Sequence, residues 1–428
     1  MGAFARCFLP LLGLAALTAQ AAPIPVTLER QGDQWMLLRG GEPYEIHGAG
    51  VDGTDFDALA ARGGNSLRTW AADIPGRSAQ TVLDEAHRLG LTVSLCLNIA
   101  RERHGFDYSN PDAVAAQFEE ARATVERYKD HPALLTWIIG NELNYDYENP
   151  AVYDAVNDIA TMIHEVDGLH PATTTTAGIS AELLTVIRER APALDFLSIQ
   201  LYGDLFNLPK YLKAFGDPGP FFVTEWGAIG HWEMPSTPWG APIEQTSTEK
   251  ARTYKKAFDR VLAPNREQIV GNYVFLWGQK QERTPTWYGL FTPEGEATES
   301  VDVMTYLWTG AWPENRAPRV LSMSLDRRPS GAGIILSAND AYQARMRVKD
   351  PDGDALIWRW AVKPESQSQS HGGDLEAVPP DIPGVVEDLG KGRVKVSTAL
   401  PQGAYRLFGY ASDGKGSAAH ANIPFFIR

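Results

Sequence analysis

Beyond residue 44 the chain alternates between short apolar runs and longer stretches in which apolar residues return every three or four positions. The short runs, at 44–51, 66–70, 92–99, 134–140, 172–176, 196–202, 221–225 and 272–277, read as strands. Several are apolar without alternation, as expected for parallel strands buried on both faces. The stretches between them have helical spacing. They are TVLDEAHRLG, stopped by Gly90, then DAVAAQFEEARATVERYKD, AVYDAVNDIATMIHEV, AELLTVIRERA, LPKYLKAFG, TEKARTYKKAFDRVL and VDVMTYLWTG. Eight strands, each followed by a helix-compatible segment, predict an α/β fold: a (β/α)8 TIM barrel, a fold of roughly 250 residues. A doubly wound open sheet is the alternative, but Val51-Asp52-Gly53-Thr54 after the first strand is not a phosphate-binding glycine loop.

The flanking segments follow other rules. QWMLLRGGEPYEIHGAGV reads as an N-terminal β-hairpin around Arg39-Gly40-Gly41. After residue 312 the pattern becomes a linker carrying Pro313, Asn315 and Pro318. Short alternating segments follow (GIILSA, YQARMRVKD, LIWRWAV, GRVKVSTAL, AYRLFGYAS, NIPFFIR), separated by turns such as Asp352-Gly353 and Asp413-Gly414. They predict a C-terminal immunoglobulin-like β-sandwich. The expected division is a signal peptide over 1–21, a barrel with its hairpin over 22–312 and a sandwich over 313–428. Arg6, the apolar run from Phe8 to Leu17 and Ala19-Gln20-Ala21 make the signal. The alternative, a membrane anchor, needs a longer apolar run. Export, to the periplasm or beyond the cell, is the expectation, and no later segment is a candidate membrane span.

Formal net charge is −14 over 428 residues, which argues against nucleic acid and anionic membranes as partners. With Cys7 removed in the signal, Cys96 is the one remaining cysteine, and its apolar strand LTVSLCLNI marks it as an inert core residue. No cofactor motif and no metal-binding pattern of the barrel stands out.

In a TIM barrel the reacting groups sit at the C-terminal ends of the strands. The fourth strand ends WIIGNELN, placing Asn141 and Glu142 where an apolar run stops. The seventh, PFFVTEWG, ends at Glu225. Two carboxyl groups facing each other across a barrel mouth suit glycoside hydrolysis, which needs one protonated acid and one ionised nucleophile. Arg68 from the second strand end and Tyr202 from the sixth would keep Glu225 ionised and aimed. The Glu225 charge and a dry setting would keep Glu142 protonated. Asn141 is a neutral donor suited to a sugar 2-hydroxyl.

HPALLTWIIGNELN and FFVTEWG resemble the signature pair of clan A retaining glycoside hydrolases, and the stretch from about residue 30 to 312 is most similar to the catalytic barrel of glycoside hydrolase family 2. The resemblance implies that Glu142 is the acid/base, Glu225 the nucleophile and Asn141 the ligand of the 2-hydroxyl. It also implies a hydrogen bond from Tyr202 to the nucleophile, a site role for Arg68, and a place for Trp277 under the bound sugar. It departs from full family members, which carry further domains before the barrel.

Aromatic residues crowd the strand-end loops: Trp70, Trp232, Trp239, Trp287 and Tyr288. Each is either a platform for a sugar face or an anchor for its loop. Trp70, Trp232 and Trp287 are taken as substrate-binding. Asp52, His104, Asp107 and Tyr108 are further loop residues near the mouth. In the sandwich, Asp350-Pro351-Asp352-Gly353-Asp354 is either a plain acidic turn or a calcium ligand set. The expected activity is that of a retaining β-glycosidase, hydrolysing or transglycosylating β-linked, glucan-like carbohydrate. The alternative is a non-catalytic carbohydrate-binding or envelope scaffold protein.

Overall fold

A computed structural model describes residues 22–53, 55–216, 219–368 and 372–428. The signal peptide expected over 1–21 lies outside them.

The chain opens with a three-stranded antiparallel sheet, β1 (Val26–Gln31), β2 (Gln34–Arg39) and β3 (Glu42–Pro43). Gly40 and Gly41 have φ of +62° and +83° and make the β2–β3 turn, a conformation that costs glycine little. Val26 and Leu37 of this sheet pack with Ile46, Leu135, Phe196, Phe222 and Tyr273, so the sheet plugs the bottom of the barrel.

Eight parallel strands then close into a barrel: β4 (Gly48–Val51), β5 (Ser66–Arg68), β6 (Thr92–Leu97), β7 (Leu134–Asn141), β8 (Ala172–Ala177), β9 (Leu197–Gln200), β10 (Phe221–Trp226) and β11 (Ile269–Trp277). The intervening helices are α1 (Phe56–Ala61), α2 (Ala79–Arg88), α3 (Pro111–Tyr128), α4 (Ala151–Val166), α5 (Ala181–Arg190), α6 (Leu208–Phe215), α7 (Ser247–Ala257) and α8 (Glu299–Thr309). Each expected strand is present, although the first, second, third and sixth are shorter than the apolar runs that announced them. Apolar side chains from strands and helices form one continuous core. Inside the barrel, hydroxyl side chains satisfy one another: Ser66 and Ser94 meet the Tyr273 hydroxyl at 3.0 and 2.6 Å, and Thr136 donates to Ser94 at 2.9 Å. Cys96 is fully buried, and burial pushes its thiol up to about 11, which makes it unreactive.

The C-terminal segment forms two packed four-stranded sheets. Its strands are β12 (Arg319–Leu325), β13 (Ile334–Leu336), β14 (Ala341–Lys349), β15 (Ile357–Pro364), β16 (Val386–Gly390), β17 (Arg393–Ser397), β18 (Gly403–Ser412) and β19 (Ala418–Ile427). Pairing is antiparallel except at the edge, where β13 runs parallel to β19. Val320, Leu325, Met346, Val362, Val394, Leu407 and Phe425 lie between the sheets. A buried polar knot joins sandwich to barrel. Glu244 accepts from Lys250 of α7 at 2.5 Å, from Thr284 and Thr286 at 2.6 and 2.9 Å, and from Asn422 of β19 at 2.5 Å. No helix among the described residues is long and apolar enough to cross a membrane.

Candidate active site

Strand side chains alternate between faces, so two adjacent residues do not normally reach one cavity. WIIGNELN escapes this rule through a bulge. Pairing of β7 with β8 shifts register between Ile138 and Asn141, Gly140 takes φ of +74°, and Glu142 takes φ of +52°. Both Asn141 and Glu142 then line one cavity of about 940 Å3 at the C-terminal end of the barrel. A second register shift, between Val223 and Glu225 of β10, brings Glu225 to the same cavity.

Glu225 is 5% exposed and held by three donors. Arg68 Nη1 lies 3.0 Å and Trp70 Nε1 2.5 Å from Oε1, and the Tyr202 hydroxyl lies 2.7 Å from Oε2. Hydrogen bonds of this kind fix the direction of the carboxyl group. Burial and the adjacent Glu225 keep the Tyr202 hydroxyl protonated, so it remains a donor. Trp70 can lie here because residue 50 is glycine: a Cβ there would fall 2.8 Å from the indole.

Arg68 is wholly buried and also donates through Nη2 to Asn141 Oδ1 at 2.7 Å. Gln200 Nε2 and Thr175 Oγ1 donate to the same oxygen at 2.7 and 3.2 Å. Three donors on Oδ1 settle the amide's orientation and leave its NH2 group for the cavity.

Glu142 has the opposite surroundings. Its backbone N–H is bonded to Thr175 O at 3.0 Å, but its carboxyl group has no hydrogen-bond partner among the described residues. Burial, and then the Glu225 charge, push its pKa up to about 8, against the pull of Arg101, Arg68 and Arg103. The two carboxyl groups thus differ in their surroundings: three donors hold Glu225, while Glu142 is buried with its pKa raised.

The aromatic residues divide differently from expectation. Trp70 and the largely exposed Trp232 line the cavity. Trp277 does not: it is fully buried, with its ring 5.2 Å from Phe291 and 5.7 Å from Trp308 of α8. Phe275, two residues earlier, lines the cavity instead, edge-on to Trp70, Tyr202 and Tyr288 at 5.6–5.8 Å. Trp287 is likewise buried, and its Nε1 donates to Ile229 O at 2.9 Å, so it anchors the loop after β10. Asp52 lines the cavity with a pKa raised by burial and opposed by Lys280. Asp107 bonds only its own turn through Ser109, and Tyr108 donates to Ala100 O.

Other lining residues escaped the sequence reading. Gln200 is the most legible of them, a polar residue inside the apolar run FLSIQLYG. Glu233 accepts from the backbone N–H groups of Gly203 and Asp204, both at 2.7 Å, and sets the turn that follows Tyr202. The sandwich also reaches the cavity. Glu365, Ser366, Gln367, Gly372, Gly373 and Leu375, from the connection between β15 and β16, form one wall. Asp374 pins that wall to Arg103 at 2.7 and 3.0 Å and to His104 at 3.2 Å, and Glu376 accepts from the backbone N–H of Arg283 at 2.7 Å.

Comparison with known proteins agrees with this architecture. Solved structures similar in fold include a beta-glucuronidase of Faecalibacterium prausnitzii, at TM-score 0.51 and 17% identity over 67% of this chain and 52% of that one. A beta-D-glucuronidase of Dictyoglomus thermophilum aligns at TM-score 0.52 and 17% identity over 67% and 54%. A beta-glucuronidase of Bacteroides uniformis aligns at TM-score 0.51 and 13% identity over 94% and 48%. The chain therefore spans about half the length of these relatives. Residues 72–212, which hold Asn141 and Glu142, match the sequence model of "Glycosyl hydrolases family 2, TIM barrel domain".

Proposed function

We propose that the protein is a retaining β-glycosidase that works by double displacement. The observation that carries this reading is the unequal treatment of two carboxyl groups in one cavity: among the described residues, three donors on Glu225 and none on Glu142. In the first step a Glu225 oxygen bonds to the anomeric carbon while the glycosidic C–O bond breaks, and Glu142 gives its proton to the leaving oxygen. In the second, Glu142 takes a proton from water or an acceptor hydroxyl, which attacks the same carbon and releases Glu225. Asn141, with its NH2 group turned to the cavity, donates to the 2-hydroxyl, and Phe275, Trp70 and Trp232 supply apolar faces for the ring.

The charge of the cavity supports a neutral sugar. Of the seven carboxyl residues that line it, Glu142 is the acid, and Glu225, Glu282 and Glu365 are paired with Arg68, Lys280 and Arg406, which leaves Asp52, Asp204 and Glu233 against Arg101 and Arg283. Lys280 is already paired with Glu282 at 3.0 Å. A uronic acid would enter against this excess, whereas the uncharged residues of a β-glucan, galactan or mannan would not. The names of the solved relatives point to uronides, so the two substrate classes belong in one experiment. Wild type and Glu225→Ala are incubated with neutral β-glycans and with β-glucuronides and β-galacturonides, and the products are read by anomeric configuration. Release of β-configured product from a neutral glycan by wild type alone supports the proposal. Turnover of uronides only would overturn the substrate class, and turnover by both proteins would overturn the role of Glu225. Export of the protein, expected from residues 1–21, is part of the same proposal.

A further inference from the structure

Far from the barrel mouth, two turns at one end of the sandwich bring three carboxylates together. In the first turn, after β14, Asp350 Oδ1 accepts from the backbone N–H groups of Asp352 and Asp354 at 2.9 and 3.0 Å. In the second, after β18, Asp413 Oδ1 accepts from those of Lys415 and Ser417 at 2.7 and 3.0 Å. The pairing of Ile357 with Ser412 sets the turns side by side. Carboxylate oxygens of Asp350, Asp354 and Asp413 come within 4.8 Å of one another.

Proximity alone is weak, because acidic turns are common. A separate observation points to a ligand. Oδ2 of Asp350 and Oδ2 of Asp354 are both buried and both lack a hydrogen-bond donor among the described residues, and Asp350 as a residue is 9% exposed. A buried carboxylate oxygen with no donor is costly, and a third carboxylate beside it adds repulsion. Lys415 relieves this only in part. Its ammonium meets Asp354 Oδ1 at 2.7 Å from a side chain that is 57% exposed, and it leaves both orphaned oxygens as they are.

We propose that Asp350, Asp354 and Asp413 form a calcium site. The donor set is all oxygen and anionic, which suits a hard cation and not zinc or copper. It is carried on two separate turns, which suits the adaptable coordination of calcium better than the strict octahedron of magnesium. The site also has a structural consequence. Asn315 Nδ2 donates to Asp413 Oδ2 and the Arg316 N–H to Asp352 Oδ2, each at 2.7 Å. Arg316 in turn meets Asp302 of α8 at 3.2 Å, and Ala297 bridges to Ser417. The ion therefore sits where the linker from the barrel enters the sandwich, and it ties the domain that walls the sugar cavity to the barrel.

The test uses the full chain freed of metal with a chelator. Calcium and, separately, magnesium are titrated by calorimetry, and thermal unfolding is followed in each. The expected result is one calcium per chain with a dissociation constant of about 10⁻⁴–10⁻³ M, the range of extracellular calcium modules, a raised Tm, and weaker binding of magnesium. Asp350→Asn and Asp354→Asn are expected to weaken calcium binding at least tenfold. Lys415→Met, an exposed change that leaves the turns intact, is expected to tighten it severalfold by removing the competing ammonium. Absence of calcium binding by wild type at about 10 mM, well above that range, overturns the proposal. So does wild-type affinity in all three variants, which would place the ion elsewhere.

Discussion

The Tyr202 hydroxyl donates to Oε2 of Glu225 at 2.7 Å from the adjacent strand end, completing a set of three donors around one carboxylate. A hydrogen bond to a charged group contributes about 1.5–3 kcal/mol. Tyr202→Phe should therefore lower kcat about 10- to 100-fold, with KM little changed. The bond aims and stabilises the nucleophile and does not grip the substrate. Steady-state kinetics separate the two parameters, and a change confined to KM would contradict this role.

The pKa of about 8 on Glu142 sets the alkaline limb of the rate profile. Its protonated form is the acid, so activity should fall as pH rises through about 8. Its burial and the Glu225 charge are the causes, in that order. In Glu225→Gln the second cause is gone, and the Glu142 pKa, read by spectroscopic titration of the inactive variant, should move down. An unchanged value would mean that the two groups do not feel each other.

The same shift has a cost in stability. A carboxyl group whose folded pKa exceeds its ordinary 4.5 favours the folded state below that value, and stability is lost as pH rises from 4.5 through about 8. Glu142→Gln should therefore raise Tm relative to wild type at pH 8, by about 1 °C for each kcal/mol regained in a chain of this size. The difference should vanish below pH 4.5, where wild type is also neutral at this position. Paired melting curves at the two pH values test it.

Leaving-group chemistry separates the two glutamates. An aryl glycoside with a good leaving group needs little protonation, so Glu142→Ala should retain the first step on it while losing turnover of natural glycosides. Glu225→Ala should lose both. A burst of released phenol in the first variant, followed by slow turnover, is the expected trace.

At the junction of barrel and sandwich, burial raises the pKa of Glu244, but Lys250, His420 and the bonds from Lys250 and Thr284 outweigh it and hold it at about 2. A depressed carboxyl contributes stability above its ordinary pKa and loses it as pH falls toward 2. Glu244→Gln leaves Lys250 buried without its charge partner and should cost about 3–5 kcal/mol. The double change Glu244→Leu with Lys250→Met should cost less than the single one. Denaturant unfolding measures both. Because Arg406 links Asn422 of this knot to Glu365 on the cavity wall, at 2.8 and 2.6 Å, the single variant should also raise KM.

The sequence by itself determined the order and kind of the elements. Each parallel strand must be apolar on both faces and each covering helix on one, so the eight repeats were visible as a change of period. It also exposed the two glutamates, because a carboxylate ending a buried strand needs a partner or a task. Other features are decided only by contacts between residues far apart in the chain. A bulge at Gly140, not strand alternation, turns Asn141 and Glu142 into one cavity. Trp277 and Phe275 differ by two positions and are both aromatic, yet only packing against Trp308 and Phe291 puts Trp277 in the core and leaves Phe275 for the cavity. Trp287 could not be told from Trp232 by composition either, since one indole is buried on a backbone carbonyl and the other is largely exposed. The cavity wall drawn from the sandwich was not legible, because a segment about 230 residues from Glu142 comes near it solely through the docking of one domain on another.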